Sequence, residues 1–478
     1  MSQNRQIYLL DPHNLSPETI AVTFAKTSRS PQSFQEIADE LTDEKSAEFH
    51  EKWVVGYGHG SVAEHAVLHL AVENVSRLAI ECLESNRLAS YTEKSTRYQK
   101  WDEDSFFIPE ELDEEPALKQ KYIDTNRFLF ETYKKSLPVV RAEISRHSPQ
   151  KAGESEAAFE RRIRSDYVDV CRFLLPSSAL ANVGMTINAR ALEHAIRKML
   201  THPLQEVQKM GLEIKKVSQN NVPTLVKYAD EVPHWAKVAN SFRDISKEVS
   251  SNISDQDWCQ LVHYDMDAHK LILAGLLYRF GTRGFQDTLN YVNQLTDAEI
   301  KSLTERVVYE LGEHDIPLRE LEYTTFTFDL MMDQGAYFEI KRHRMMTQTP
   351  QRISTLFGYA VPKSMVAADF ENEYHQAMRL AHETYLDIAK WNPEVAGYIV
   401  PNGYNRKLLL KANLRGLEHL INLRSADNAH FSVRRVVQRM ADELSNANPL
   451  LAVWIRKNTN ETWQSIEKEY FTETACQA

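Results

Sequence analysis

The residues best suited to bind an anion are the Arg-His-Arg triplet at positions 342 to 344, in a basic segment that ends at Arg352. A guanidinium group binds phosphate or carbonyl oxygens through two parallel hydrogen bonds, a geometry that the ammonium group of lysine does not offer. Basic triplets also occur on ordinary exposed surfaces, so the triplet alone leaves both interpretations open. The chemistry that it favours is recognition of a phosphate-bearing ligand.

The chain contains a repeat that surrounds this triplet. The string Asn-x-Arg-x-Leu-Glu-His occurs at Asn188 to His194 and again at Asn413 to His419. Each occurrence follows an Arg-rich segment, and the first of these has Ser85-Asn86-Arg87 where the second has the triplet. Recurrence of one string after related segments indicates a duplicated domain. Function must therefore be sought in the differences between the copies.

The domain boundary is predicted in the polar stretch from about 215 to 250, which carries Pro223 and Pro233. We expect one repeat in residues 1 to 235 and the other in residues 245 to 478. Copy one is longer between its Arg-rich segment and its asparagine, so we expect an insertion in the charged region from 103 to 165.

The repeated helices differ at one informative position. At roughly 100° per residue, Asn413, Leu417, Leu420 and Arg424 lie on one face of the second helix. An arginine on a face of leucines either extends to solvent at the helix end or is held for an anionic partner. Met199 occupies the place of Arg424 in copy one and is predicted to be a core residue. Any anion-binding role of this face is therefore possible only in copy two.

Composition indicates a soluble globular protein with two or three cores. The chain has 478 residues, 42% hydrophobic side chains and a formal net charge of -11, which argues against nonspecific nucleic-acid binding. The four cysteines are too scattered for a disulfide framework or a zinc site, which fits a reducing cytoplasm. No signal peptide or membrane-spanning run is apparent. We expect a cytoplasmic protein that binds no metal and no membrane.

Two stretches alternate apolar and polar residues, one starting at Val67 and the other at Tyr323, and each lies just ahead of an Arg-rich segment. This period predicts half-buried strands. Residues 33 to 55 and 116 to 150 have the amphipathic pattern of surface helices.

These motifs resemble the flavin-dependent thymidylate synthases. In copy one, Gly58-His-Gly-Ser-Val-Ala-Glu-His65 is similar to the family's Gly-His-x-Ser-x-x-Glu-His entry into a strand, and the segment from Ser90 to Tyr98 is similar to its substrate loop. Copy two has the family's Arg-His-Arg signature. The resemblance covers most of both halves, but neither copy carries the whole pattern. It implies an α+β fold, with two tandem domains that each hold an antiparallel sheet flanked by long helices.

The resemblance also implies reductive methylation. Family members attach the methylene group of methylenetetrahydrofolate to C5 of deoxyuridine monophosphate (dUMP), giving dTMP, and reduce the adduct with flavin hydride supplied by NADPH. The cofactor performs the redox step, so no nucleophilic cysteine is required. FAD is the expected cofactor, with NADPH and methylenetetrahydrofolate as co-substrates.

The family's site residues are divided between the copies. Arg424 matches the uracil-binding arginine and is the candidate catalytic residue. Flavin-contacting positions are matched by His59, Arg87, Asn188, His194, Arg342, His343, Arg344, Asn413 and His419. Nucleotide-binding positions are matched by Ser95, Arg97, Arg172 and Arg352, where a two-residue deletion pairs Arg352 with Arg97 and Pro350 with Ser95. The counterpart of Arg172 in copy two is Gly397.

Several interpretations remain open. Family sites lie between subunits, so groups missing from one copy could come from the other, and a homodimer would rebuild four domains. The chain is then a flavin enzyme acting on a uracil nucleotide, a catalytically inactive flavin- or nucleotide-binding homologue, or a structural partner of an intact synthase. Taken singly, His59 is as readily a structural histidine, and Arg172 and Arg190 are ordinary ion-pairing residues in a chain rich in carboxylates.

Overall fold

The computed structural model describes residues 6–95, 101–249, 257–312 and 314–472. The chain forms two compact units that do not follow chain order. Unit 1 contains Met1–Lys94, Phe106–Pro116 and Ser178–Ser251, and unit 2 contains Ser95–Ser105, Ala117–Ser177 and Asn252–Ala478. A section of sequence repeat one, residues 117 to 177, therefore belongs to the compact unit built mainly from repeat two. The repeat boundaries at 235 and 245 stay a prediction.

The α-helices of the described ranges are α1 (Pro17–Thr27), α2 (Phe34–Asp39), α3 (Asp43–Phe49), α4 (Arg77–Glu84), α5 (Pro116–His147), α6 (Glu156–Cys171), α7 (Ala189–Leu200), α8 (Gln205–Ser218), α9 (Pro233–Ile245), α10 (Ala268–Phe280), α11 (Phe285–Gln294), α12 (Asp297–Val307), α13 (Gln334–Ile340), α14 (Lys363–Ala367), α15 (Glu371–Trp391), α16 (Leu414–Arg424), α17 (Phe431–Ala447) and α18 (Trp463–Tyr470). Within those ranges, no helix is both long enough and apolar enough to cross a membrane.

The strands are β1 (Val67–Ser76), β2 (Ala89–Glu93), β3 (Leu180–Asn188), β4 (Cys259–Tyr264), β5 (Thr325–Asp333), β6 (Thr347–Pro350) and β7 (Asn405–Asn413). Unit 1 has a sheet in the order β1-β3-β2 and unit 2 has one in the order β4-β5-β7-β6, with every pairing antiparallel. The α+β fold and the two half-buried strands predicted at 67 and 323 are confirmed.

The sheet registers define which residues of the two repeats are equivalent. Val67 lies opposite Asn188, and Thr325 lies opposite Asn413. The last residues of β1 and β5, Ser76 and Asp333, each lie opposite a residue eight positions before that asparagine. A bulge in β1 absorbs one extra residue, and Asn74 there has φ 57°, a value that asparagine tolerates better than most residues.

The same register corrects one part of the sequence alignment. Lys94 N–H donates to Asn182 O (2.8 Å) and Gln351 N–H donates to Lys407 O (2.9 Å), and both acceptors lie six residues before the repeated asparagine. Pro350 is therefore equivalent to Glu93, and the prediction that it takes the place of Ser95 is wrong. No deletion occurs between the equivalent residues Ser76 and Asp333 and the equivalent residues Lys94 and Gln351. Arg97 lies outside the described residues, so its equivalence to Arg352 stays a prediction.

The core of unit 2 lies between one face of its sheet and two helices. Alternate residues of β5 and β7, such as Phe326, Phe328 and Leu410, are fully buried and pack with α16 and α17. On α16, Leu417 and Leu420 are buried as the helical period predicts. The open face of β7 carries exposed Leu409 and Lys411.

Helices α5 and α6 account for the extra length of copy one. The sequence Glu-Thr-Tyr occurs in α5, ending at buried Tyr133, and again in α15, ending at buried Tyr385. Helix α15 ends shortly after this tyrosine, whereas α5 continues to His147 and α6 follows. The insertion therefore comprises the last two turns of α5 and most of α6, which overlaps the predicted region.

Within unit 2, equivalent segments of the two repeats pair with each other. Ser177 N–H donates to Val400 O and Asn402 N–H donates to Leu175 O, both at 3.0 Å. Pro176 and Pro401 form the bridge between these bonds. Because Ser177 and Asn402 stand at the same distance from their repeat's asparagine, the two bonds are reciprocal. Such reciprocity is what a local two-fold relation produces.

Candidate functional site

The asparagines of the repeated string have the same structural role in both units. Asn188 Oδ1 accepts from Ala191 N–H (2.9 Å) and caps α7, and Asn413 Oδ1 accepts from Gly416 N–H (2.8 Å) and caps α16. Asparagine is a favoured N-cap because its side-chain oxygen satisfies an amide that the helix leaves unpaired. The flavin contact of either asparagine stays a prediction.

The arginine of the string is also used alike in both copies. Arg190 pairs with Glu64 at 2.5 Å, and Arg415 pairs with Glu322 at 2.5 Å. Glu64 and Glu322 both stand three residues before the start of the equivalent strands β1 and β5. Arg190 is therefore an ion-pairing residue here, the alternative left open by the sequence, and the pair joins the helix start to the strand entry in each repeat.

Arg424 lies at the C-terminal end of α16 and contacts two side chains from the Arg-His-Arg region. Its Nη1 donates to Glu339 Oε2 (2.7 Å), and its Nε donates to His343 Nε2 (3.0 Å). The side chains of Arg424 and Glu339 are only 16% and 11% exposed. The structure thus brings together Arg424 and His343, both predicted site residues, and adds Glu339, which sequence reasoning missed.

His343 is held in a neutral state by this arrangement. The pKa of its imidazole is lowered to about 3, chiefly by burial and also by the nearby Arg424 and His419. Its Nε2 is an acceptor for Arg424, so the proton of the neutral ring is on Nδ1. The backbone around His343 is fixed as well, because Gln348 Nε2 donates to the carbonyl oxygens of His343 (2.8 Å) and Ile340 (3.3 Å).

Repeat one has none of the three side chains. Counting from the equivalent residues Ser76 and Asp333, Cys82 takes the place of Glu339 and Asn86 takes the place of His343. Met199, the counterpart of Arg424, is fully buried, as predicted for a core residue. Lys198 reaches into this region instead and donates to Asn86 Oδ1 (3.0 Å) and Ser85 Oγ (2.5 Å).

The other predicted flavin residues are accessible. Arg342, Arg87, His419 and His194 are exposed and Arg344 is half-buried. His419 lies with its ring centroid 5.5 Å from that of His343, which joins it to the Arg424 cluster. His194 contacts Trp235 (5.7 Å between centroids), and partial desolvation of its imidazole lowers the pKa of that group.

His59 lines a pocket of about 420 Å³ in unit 1. The aromatic side chains of its wall are Phe24, Phe49 and Trp53, and its basic residues are Lys26 and Arg29. The Arg29 guanidinium lies 4.7 Å from the centroid of the Trp53 ring. No carboxylate lines this pocket, although the chain carries a net charge of -11. By the sheet register, Pro317 takes the place of His59 in repeat two, eight residues before β5.

The residues predicted to bind nucleotide are more dispersed. Arg172 is buried in unit 2, where its Nε lies 3.5 Å from Asp169 Oδ1. Arg352 pairs with Glu394 at 2.9 Å. Ser95 follows β2 and is half-buried. Unit 2 therefore holds both Arg172 from repeat one and Arg424 from repeat two, so residues of both copies occur in one compact unit.

Unit 2 also contains a cleft of about 1120 Å³ that the sequence did not predict. It is lined by the insertion helices α5 and α6, by α14, and by the segments that precede α17 and end α18. Both signs of charge occur in it, for example Asp166, Lys363 and Glu469, and no predicted site residue lines it.

The cysteines of the described ranges are poor nucleophiles. Burial raises the pKa of the Cys82 thiol to about 11 and that of Cys171 to about 12, and it raises that of Cys259 as well. A thiol with a raised pKa carries little of the reactive thiolate near neutral pH.

Known proteins match both halves of the chain. A family profile described as "Thymidylate synthase complementing protein" matches residues 9–224 and 260–450. A UPF0159 protein of Chlamydia pneumoniae is 31% identical over 443 residues, 88% of this chain and 83% of its own length. A flavin-dependent thymidylate synthase of Clostridium tetani is 28% identical over 216 residues, 45% of this chain and 82% of its own length. The crystal structure of flavin dependent thymidylate synthase ThyX from Helicobacter pylori, complexed with FAD and dUMP, is 19% identical with a TM-score of 0.30 and covers 42% of this chain and 100% of that chain.

Proposed function

Because the chain belongs to the thymidylate synthase complementing protein family, we propose that it is a flavin-dependent enzyme that methylates C5 of a uracil nucleotide. The expected reaction converts dUMP to dTMP, with FAD as cofactor and with NADPH and methylenetetrahydrofolate as co-substrates. The groups that serve this reaction are divided between the repeats. Repeat one supplies His59 and Arg172, and repeat two supplies the Arg-His-Arg triplet and Arg424.

The pocket at His59 is the observation that supports a flavin most directly. A flavin cofactor is planar, aromatic and anionic at its phosphates. The pocket offers aromatic side chains for a flat ring and the cations Lys26 and Arg29 for negative charge, with no lining carboxylate to oppose it. Its volume of about 420 Å³ fits a part of such a cofactor. When bound, the flavin would supply the hydride chemistry, and the protein would supply binding and orientation.

The nucleotide is assigned to the Arg424 cluster. A guanidinium that is largely withdrawn from water binds a carbonyl or an anionic oxygen more strongly than an exposed one, because the local dielectric is low. Exposed Arg342, which matches a flavin-contacting position, stands one residue before His343 of this cluster.

The visible spectrum of the purified protein tests the flavin. We expect absorbance typical of a bound flavin, either as isolated or after addition of FAD at micromolar concentration. His59→Ala and the double variant Arg342→Ala/Arg344→Ala should each weaken FAD binding. A colourless wild type that takes up no FAD contradicts the proposal, and FAD binding that both variants retain contradicts the assignment of these residues. Light scattering tests the expected homodimer.

A second candidate function is flavin or nucleotide binding without turnover. One observation favours it: Pro317 replaces His59 in repeat two and Met199 replaces Arg424 in repeat one, so neither copy is whole. The two candidates differ in one assay. The enzyme forms dTMP from dUMP in the presence of NADPH and methylenetetrahydrofolate, and the binding protein forms none while its FAD affinity is normal.

A further inference from the structure

Three side chains from two separate segments of unit 2 form a connected polar cluster. Glu339 lies in α13, His343 follows that helix, and Arg424 ends α16. The hydrogen bonds Arg424 Nη1 to Glu339 Oε2 (2.7 Å) and Arg424 Nε to His343 Nε2 (3.0 Å) use two different nitrogens of one guanidinium. Because the guanidinium is planar and rigid, two such bonds fix both its plane and its direction.

The fold does not require this cluster. Removing charges from water is costly, so a largely buried ion pair is weak evidence of a contribution to stability. Repeat one has the same strand, helix and sheet register with Cys82, Asn86 and Met199 at the equivalent positions. All three members have therefore changed together between the copies, which is expected of side chains that act as one unit.

The partners of Arg424 are themselves held in place. All seven residues of α13 are buried, including Glu339. His343 N–H donates to Ile340 O (2.9 Å), and Gln348 Nε2 donates to His343 O (2.8 Å). A long arginine side chain at a helix end has many rotamers, and ordering it beforehand lowers the entropy that ligand binding must otherwise offset.

We propose that Glu339 and His343 are positioning residues that orient the Arg424 guanidinium for the bound nucleotide. This inference rests on the proposed function, which assigns Arg424 to the uracil nucleotide. It gives His343 a role toward the nucleotide through Arg424, in place of the direct flavin contact implied by the family resemblance.

The test is a double-mutant cycle with dUMP as the probe, measured by calorimetry on the full-length, FAD-loaded protein. Glu339→Gln keeps the shape of the side chain and removes its charge, and we expect it to weaken dUMP binding at least tenfold. Arg424→Met should weaken binding more. In the Arg424→Met background, Glu339→Gln should have less than a twofold effect, because the residue that it positions is gone. Glu339→Asp should recover part of the lost affinity.

Glu418→Gln is the matched control. Glu418 is a buried carboxylate on α16 that pairs with Arg456 Nε at 2.6 Å, so the substitution removes a similar charge from the same helix. We expect its dUMP affinity to stay within twofold of the wild type, and thermal unfolding monitors the stability of every variant.

The outcomes distinguish failure of the proposed function from failure of the positioning role. A wild type that does not bind dUMP overturns the proposed function and this inference with it. A wild type that binds dUMP, with Glu339→Gln indistinguishable from Glu418→Gln, overturns only the positioning role. Equal losses from Glu339→Gln in the presence and absence of Arg424 also overturn it, because Glu339 then acts independently. If Glu339→Gln does not fold, the same double-mutant cycle is measured with Glu339→Cys in its place, since repeat one has cysteine at the equivalent position.

Discussion

The two repeats keep their structural contacts and differ in the groups that could do chemistry. Both cap the helix after the last strand with asparagine, and both join that helix to the strand entry with an arginine–glutamate pair. They differ at the Arg424 cluster and at the position of His59. The shared Asn-x-Arg string therefore belongs mainly to the scaffold, and the proposed division of function lies in residues outside that string.

One buried hydrogen bond occurs in both repeats with its hydroxyl and carboxylate residues interchanged. In repeat one the N-cap of α4 is Ser76, whose hydroxyl donates to Glu206 Oε2 (2.6 Å) near the start of α8. In repeat two the N-cap of α13 is Asp333, whose carboxylate accepts from the Ser432 hydroxyl near the start of α17. The hydroxyl and the carboxylate have changed places. A buried hydrogen bond between the two elements is thus preserved although neither residue is.

This exchange gives the prediction with the largest effect. Ser76→Asp places a second carboxylate against Glu206 in a buried site, and we expect a loss of about 3–5 kcal/mol in the free energy of unfolding because the new charge is uncompensated. Adding Glu206→Ser recreates the arrangement of repeat two and should recover more than half of the loss. Denaturant titration measures both. Additive losses in the double variant would contradict the equivalence of the two contacts.

The second prediction converts the Arg424 cluster to the residues of repeat one. Arg424→Met removes the guanidinium that pairs with the Glu339 carboxylate, which is only 11% exposed, and we expect a loss of about 3 kcal/mol in the free energy of unfolding. Glu339→Cys in the same chain should restore most of it, because the pair then matches Met199 and Cys82. Chemical denaturation of the single and double variants checks this. A double variant less stable than Arg424→Met would show that the repeats are not interchangeable here.

The third prediction concerns pH. The pKa of His343 is lowered from 6.5 to about 3 in the folded protein, so the unfolded chain takes up a proton first as the pH falls. This histidine therefore makes the free energy of unfolding decrease between about pH 6.5 and pH 3, and it has no effect above that range. Arg424→Met removes a nearby cation and should raise the pKa of His343. NMR titration of its imidazole measures the pKa directly, and an unchanged or lower value in the variant would contradict the contact.

How much of the fold and of the candidate site could be predicted from the sequence depends on how far apart in sequence the interacting residues lie. Local periodicity predicted the strands at 67 and 323 and the buried place of Met199, because side-chain spacing along one element decides its burial. The partnership of Glu339 with Arg424 joins segments far apart in sequence, and no local pattern marks it. The Ser76 and Asp333 exchange was invisible to an alignment that scores identical residues. The placement of α5 and α6 in unit 2 depends on packing between segments, which sequence order did not reveal.

The smallest effect is expected where the repeats are most alike. Asn188→Ala and Asn413→Ala each remove one N-cap hydrogen bond, and each should cost about 1 kcal/mol in the free energy of unfolding. The two losses should agree within error, since the caps have the same geometry. Thermal or denaturant unfolding checks the pair, with Asn→Asp at each position as the variant expected to retain the cap. A loss confined to one repeat would show that the shared string has different roles in the two copies.

The central claim, that one activity draws on groups from both repeats, is tested most directly by turnover. Formation of dTMP from dUMP with FAD, NADPH and methylenetetrahydrofolate would be measured for the wild type, for His59→Ala in repeat one and for Arg424→Met in repeat two, with Glu418→Gln as the control. We predict turnover by the wild type and the control, and loss of nearly all of it in each of the other variants while they remain folded. An inactive wild type, or full activity in either His59→Ala or Arg424→Met, would contradict the claim.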